Sequence, residues 1–119
     1  MTTSTYSQII ERKKAINANM KEATNIPFQT LKCCREIMDL ALDATQYGNP
    51  NSISDAGVAA EMANAGVHGA ALNVFINLKG IEDKKFCSKI KTKTEDLVKD
   101  ADKLLMKTRR VVSKIMNND

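Results

Sequence analysis

Apolar residues recur along this chain at the three- and four-residue steps of a helix, and polar or helix-breaking residues divide them into four runs. Residues 1–8 read as a loose N-terminal end. From about Thr5 the positions Ile9, Ile10, Ile16 and Met20 predict a first amphipathic helix. Pro27 is expected to interrupt it, because a proline pushes the preceding residue away from helical angles and makes Asn25 and Ile26 a kink or short break. Pro27 itself suits the first turn of a second helix, carried to about Tyr47 by Leu31, Ile37, Met38, Leu40, Ala41, Leu42 and Ala44. Gly48, followed by Asn49 and Pro50, predicts a sharp stop with the glycine in the left-handed cap conformation.

Ser52 or Ser54 can cap the next helix, and Asp55 in its first turn interacts favourably with the positive end of the dipole. This helix runs to about Leu78 and is apolar on most sides, which predicts a central position. After Gly80, Asp83 can cap a last helix. There Cys87, Ile90, Thr94, Leu97, Ala101, Leu104, Thr108, Val111 and Ile115 alternate steps of three and four, a heptad seam that packs lengthwise against neighbours. The pattern predicts an all-α protein, a bundle of about four helices with two long central ones, expected to dimerise.

Composition agrees with helices. Aromatic residues are only 4% of the 119, there is no Trp, and the hydrophobic 43% is mostly Ala, Ile, Leu, Val and Met. The net charge is +4, and its excess lies in the last third, where residues 79–119 hold 12 basic and 7 acidic side chains. Those charges alternate in sign along a periodic segment, the mark of a solvated helix face, so no nucleic-acid partner is expected. The three cysteines, Cys33, Cys34 and Cys87, lack metal-ligand spacing and fit reduced thiols of a cytoplasmic protein. No signal peptide or membrane span is expected, since Glu61, Asn64, His68, Asn73 and Asn77 interrupt the most apolar segment.

The chemistry is concentrated in the stretch GNPNSISDAGVAAEMANAGVHGAALNVFINLKGI, residues 48–81. Asp55, Ala59, Met62, Gly66, Gly69, Asn73 and Asn77 fall near one helical line: small residues in the middle, a carboxylate at one end and two amides at the other. Two uses compete. Asp55 could cap its own helix while Asn73 and Asn77 bond a neighbouring backbone and the glycines relieve crowding; such uses outnumber catalytic ones. Alternatively the polar groups line a cleft between helices and orient a planar polar ligand. Asn49 and Asn51 flank Pro50 as ordinary turn residues, and the single histidine, His68, lies off the stripe as a packed or surface residue.

The same stretch resembles the C-terminal half of the cyclodeaminase and methenyltetrahydrofolate cyclohydrolase family, the folate-processing domain of formiminotransferase-cyclodeaminase. The resemblance is carried by Gly48-Asn49, Ser54-Asp55, Val58-Ala59-Ala60, Gly69-Ala70, Asn73-Val74, Ile76-Asn77-Leu78 and Asp83 to Phe86. Upstream, Arg12, Ala15, Ala23 and Pro27-Phe28 extend it, so that residues 9–119 resemble the second half of one such helical domain. It implies a homodimeric helical protein acting on one-carbon units carried by tetrahydrofolate. Such proteins release ammonia from 5-formiminotetrahydrofolate to form the 5,10-methenyl compound, or hydrolyse that compound to 10-formyltetrahydrofolate. Both need proton transfer around the N5–N10 bridge. The resemblance implies proton transfer for Asp55, orienting roles for Asn51, Ser54, Asn73 and Asn77, and a folate substrate with no cofactor or metal.

The family's earlier half, with a turn of the PxPGGGS type, has no counterpart among the 2 prolines and 5 glycines. The expectation is therefore a homodimer or a complex with a chain carrying that half. A truncated product, a separately encoded subunit and a diverged assembly remnant stay open. The rival reading is a non-enzymatic helical interaction module whose Asn and Gly seam serves only packing.

Overall fold

The computed structural model describes residues 3–117, with side chains from 5 onward. Three helices and one short 3-10 turn account for them: α1 (Thr3–Tyr47), the turn Pro50–Ser52, α2 (Ile53–Leu78) and α3 (Lys84–Asn117). The molecule is a rod of 80 × 19 × 16 Å. The all-α class is what the periodicity predicts, but three helices stand where about four were expected.

The discrepancy lies at Pro27. The expected break at Asn25–Ile26 is absent, and α1 runs 45 residues through the proline. Pro27 has no N–H to give to the Ala23 carbonyl, and its ring crowds that carbonyl. Tertiary burial overrides this local cost. Thr24 and Phe28 on the two sides of the proline are both buried, as is Leu31 one turn further on. A break would lift one of these off the core, where a fully buried side chain such as Leu31 contributes roughly 1.5–3 kcal/mol. Thr24 and Thr30 also return their hydroxyls to the Met20 and Ile26 carbonyls at 2.8 and 3.1 Å, satisfying polar groups within the helix itself.

Gly48 does end α1, but not in the left-handed conformation, since no described glycine has a positive φ. Its amide instead continues the helical ladder to the Ala44 carbonyl at 2.9 Å. A Cβ at residue 48 would collide with that carbonyl, so glycine is needed for close approach. Ser52 occupies the capping position of α2 without a side-chain cap bond. The cap expected for the last helix is present: the Phe86 amide donates to Asp83 Oδ1 at 3.1 Å.

The core is thin and built on small residues. Leu31, Met38 and Ala41 of α1 meet Ala60, Ala63, Val67, Ala70 and Ala71 of α2, and Ala101 and Leu105 of α3 close the other side. Every position of the α3 heptad seam is buried or half-buried. Polar ties set the register of the three helices. Lys21 pairs with Asp83 at 2.8 Å, the Glu82 amide donates to Asn17 Oδ1 at 3.1 Å, and Arg35 pairs with Asp100 at 2.6 Å. Since the α2–α3 turn sits beside Asn17 and Lys21, the earlier part of α1 projects beyond it as an exposed arm. Met1 and Thr2 of the expected loose end lie outside the described residues; residues 3–8 are helical.

A continuous α1 makes Pro27 a local defect. Pro27→Ala is expected to raise the stability of the chain by about 1–3 kcal/mol, because alanine restores the bond to Ala23 and removes the ring clash. Urea unfolding followed by circular dichroism checks this, and a loss of stability would mean that the proline ring is packed in a way alanine cannot replace.

Candidate functional site

α2 presents its three sides to three environments, and the sequence explains why. Ala60, Ala63, Val67, Ala70, Ala71 and Val74 face the neighbouring helices. Glu61 and His68 lie toward α3, where each finds a partner. The remaining side is unpartnered. Val58, Met62, Leu72 and Ile76 are 55, 71, 70 and 59% exposed, values far too high for a helix expected at the centre of a bundle. Asp55, Ala59, Ala65, Gly69 and Asn73 are exposed beside them. α1 continues this surface with Ile26 and Leu40, which are also largely exposed.

Between the two helices runs a groove of about 350 Å³, lined by Ile26, Pro27 and Thr30 of α1 and by Gly66, Ala70, Asn73 and Asn77 of α2. Gly66 sets its width. A Cβ there would lie 2.7 Å from Cys34 Sγ, so any larger residue would have to turn the Cys34 side chain aside to keep α1 this close. Gly69 faces open space, with nothing within 4 Å, and relieves no crowding inside the chain. Among the described residues the side chains of Asn73 and Asn77 make no hydrogen bond, and neither does that of Asp55. The packing use of these groups, a cap from Asp55 and amide bonds to a neighbouring backbone, is therefore not what the fold does with them. Two amides with free donors and acceptors line a groove of mixed polarity, where they can grip both kinds of polar atom on a flat heterocycle.

The sequence-predicted residues divide into two groups. Asn73 and Asn77 come together in the groove. Asn51, Ser54 and Asp55 lie at the opposite end of α2, where the Asn51 amide donates to Asn49 Oδ1 at 2.9 Å within the turn. Eighteen residues of continuous helix separate Asp55 from Asn73, about 27 Å at about 1.5 Å per residue. One chain does not bring the carboxylate to the amides. Ser54 instead borders a second groove of about 430 Å³ with Val58, Val112 and Met116, beside the fork-to-fork pair of Arg109 and Glu61 at 2.6 and 2.7 Å. Sequence reasoning missed Ile26, Pro27 and Thr30 as walls of the amide groove; a proline inside a helix pattern was the available signal.

His68 belongs to neither group. Its Nε2 lies 2.7 Å from Asp102 Oδ1, to which the buried Asn64 amide also donates at 3.1 Å. The imidazole hydrogen bond, joined by that of Asn64, holds the Asp102 carboxyl below the usual carboxylate range. Among the described residues no three His, Cys, Asp or Glu side chains gather as a metal site, and no helix is long and apolar enough to cross a membrane.

The sequence profile of the family described as formiminotransferase-cyclodeaminase matches residues 1–96. The chain is 42% identical over 90 residues to a methenyltetrahydrofolate cyclohydrolase of Methylorubrum extorquens, a match covering 76% of this chain and 43% of that protein. It is 33% identical over 103 residues to the formimidoyltransferase-cyclodeaminase of Dictyostelium discoideum, covering 87% of this chain and 19% of that protein. The rat protein of the same name matches at 30% over 90 residues, 17% of its length. The chain thus spans less than half the length of these relatives.

The Asp102 cluster has a consequence for acid stability. A carboxyl depressed in the folded state adds stability above its unfolded value near 3.8, and that increment is lost as pH falls through the lower folded value. Asp102→Asn is expected to cost less than about 1 kcal/mol at neutral pH, since the pair is half exposed, and to leave a shallower loss below about pH 4. Urea midpoints at pH 7 and pH 3 for the two proteins check both parts.

Proposed function

The chain belongs to the formiminotransferase-cyclodeaminase family, and from that premise we propose that it acts on the one-carbon bridge of a tetrahydrofolate in the cytoplasm, as the second half of a cyclodeaminase or cyclohydrolase site. The observation that carries this reading is the amide groove. Asn73 and Asn77 line it, free of any bond within the chain, in a cleft of about 350 Å³. The 42% identity to a protein named methenyltetrahydrofolate cyclohydrolase points to the methenyl carbon as the reacting centre.

The two reactions share that carbon. In cyclodeamination N10 bonds to the formimino carbon and ammonia leaves, giving the methenyl bridge; in hydrolysis water adds to the same carbon and its bond to N5 breaks, giving the 10-formyl compound. Either requires a group that takes and returns a proton, and groups that hold the pterin edge in place. The amides of Asn73 and Asn77 supply the hold. Asp55 supplies the proton transfer, with Asn51 and Ser54 orienting it from the turn. Residues 9–119 form the folate-handling domain half, and no cofactor takes part in this scheme. Since Asp55 lies so far from the groove, activity requires an assembly, either a homodimer or a complex with a chain that carries the other half of the family domain.

Asn73→Ala and Asn77→Ala are each expected to weaken binding of 5-formyltetrahydrofolate about tenfold, the effect of one lost hydrogen bond, without moving the urea midpoint. Asp55→Asn is expected to preserve that binding while lowering turnover of methenyltetrahydrofolate by about 10²–10⁴. Calorimetric titration and an absorbance assay of the methenyl compound check these, and full turnover by the Asp55→Asn protein would remove Asp55 from the mechanism.

A further inference from the structure

Along the sequence the charges of α3 alternate in sign, but the folded helix sorts them. Between Lys84 and Asn117 it carries 11 basic and 4 acidic side chains. Three of the acids turn toward the neighbouring helices. Asp102 meets His68, Asp100 meets Arg35, and Glu95 is half-buried beside Phe75 and Leu78 of α2.

The cations stay outside. Lys85, Lys89 and Lys93 are followed by Asp96, and then by Lys99, Lys103, Lys107, Arg110 and Lys114, all exposed and each three or four residues from the last. These positions form one straight line on the far side of α3 from its buried seam, about 44 Å long at about 1.5 Å per residue. Among the described residues none of the eight cations has an ion-pair or hydrogen-bond partner. Asp96 is the one acid on the line, which holds no aromatic or large apolar side chain. Five of the eight cations lie beyond residue 96, where the family match ends.

We propose that this line is a docking surface for an α-helix of another protein, one that carries carboxylates at the same steps of three and four residues. Its ground is charge complementarity combined with spacing. Two straight helices share one rise, so carboxylates at that spacing meet the cations layer after layer over the full length. Asp96 sets the register, because a helix with a single Lys or Arg at that level gains a bond where any other alignment meets a like charge.

Other occupants fit less of the line. A second copy offers Glu36, Asp39 and Asp43 on α1 at this spacing, but they span only about 10 Å. The groove of a nucleic-acid duplex curves away from a straight helix and would set phosphates against Asp96 at its middle. A single strand takes aromatic platforms, and the line has none. An anionic lipid surface is flat enough to reach every lysine, but it too repels Asp96 and finds no apolar side chain on the line to insert.

The inference uses no part of the folate reading and is tested without folate. The probe is a fluorescently labelled 35-residue helical peptide with Glu at the matching steps and one Lys at the level of Asp96, titrated with the whole chain and followed by anisotropy. Saturable one-to-one binding is expected, weakening about tenfold or more between about 50 and 200 mM salt. Lys103→Glu combined with Lys107→Glu is expected to weaken it about tenfold or more at unchanged helicity, and Lys32→Glu, on α1, to leave it within about twofold. A peptide of the same composition with its Glu residues spread round the helix is expected to bind about tenfold more weakly. Absence of binding at about 50 mM salt, equal binding of the spread peptide, or indifference to the Lys103 and Lys107 changes would overturn the proposal. So would tighter binding of phosphatidylserine vesicles or of a 20-base-pair RNA duplex than of the matched peptide, which would make the partner a lipid surface or a nucleic acid.

Discussion

Where α1 crosses α2, the Cys34 sulfur occupies the space that a side chain on residue 66 would need, and this contact sets the geometry of the rest. Because residue 66 is glycine, the two helices approach closely enough for a core made largely of alanine to be dry and well packed. The same approach fixes which residues stand level across the hairpin. It places Pro27 and Thr30 opposite Asn73 and Asn77, and so creates the groove from parts of two helices far apart in sequence. α3 adds a third side and takes the polar residues of α2 that face it, Glu61, Asn64 and His68, into pairs with Arg109 and Asp102. What remains of α2 is the side that neither helix reaches.

Much of this is legible in the residues, and the failures have physical causes. The α3 seam is read correctly because nine positions in strict heptad spacing outweigh any single residue's preference. The break at Pro27 is misread because a local rule is applied where burial of Thr24, Phe28 and Leu31 decides. The cap at Gly48 is read for the wrong reason: glycine is required there by collision with Ala44, not by a left-handed backbone. Asp55, Asn73 and Asn77 are rightly placed on one line of α2. Periodicity reports a shared face, however, and is silent about distance along it, so residues 27 Å apart read as one site. The groove's α1 wall was beyond the sequence because its register depends on the Cys34–Gly66 contact, which no local pattern encodes.

The length of α2 is what turns this fold from a container into a component. A small ligand cannot touch both ends of a 26-residue helix, and no other described part of the chain bends a carboxylate back to the amides. The residues with chemistry are nevertheless confined to the side of α2 that is left bare. That face holds one carboxylate and two amides without a hydrogen bond, together with four large exposed apolar residues, the combination that marks an interaction surface.

Covering that face does more than remove apolar surface from water. Amides exposed to solvent gain little by bonding a ligand, because each new bond replaces one to water. When Met62, Leu72 and Ile76 are buried against a second helix, the adjoining groove loses its open side, and the same Asn73 and Asn77 work in a medium of lower dielectric. The apolar seam and the polar groove are thus two parts of one device. A partner seated on this face would expel water from the groove, and the amides of Asn73 and Asn77 would bond a ligand the more strongly for it.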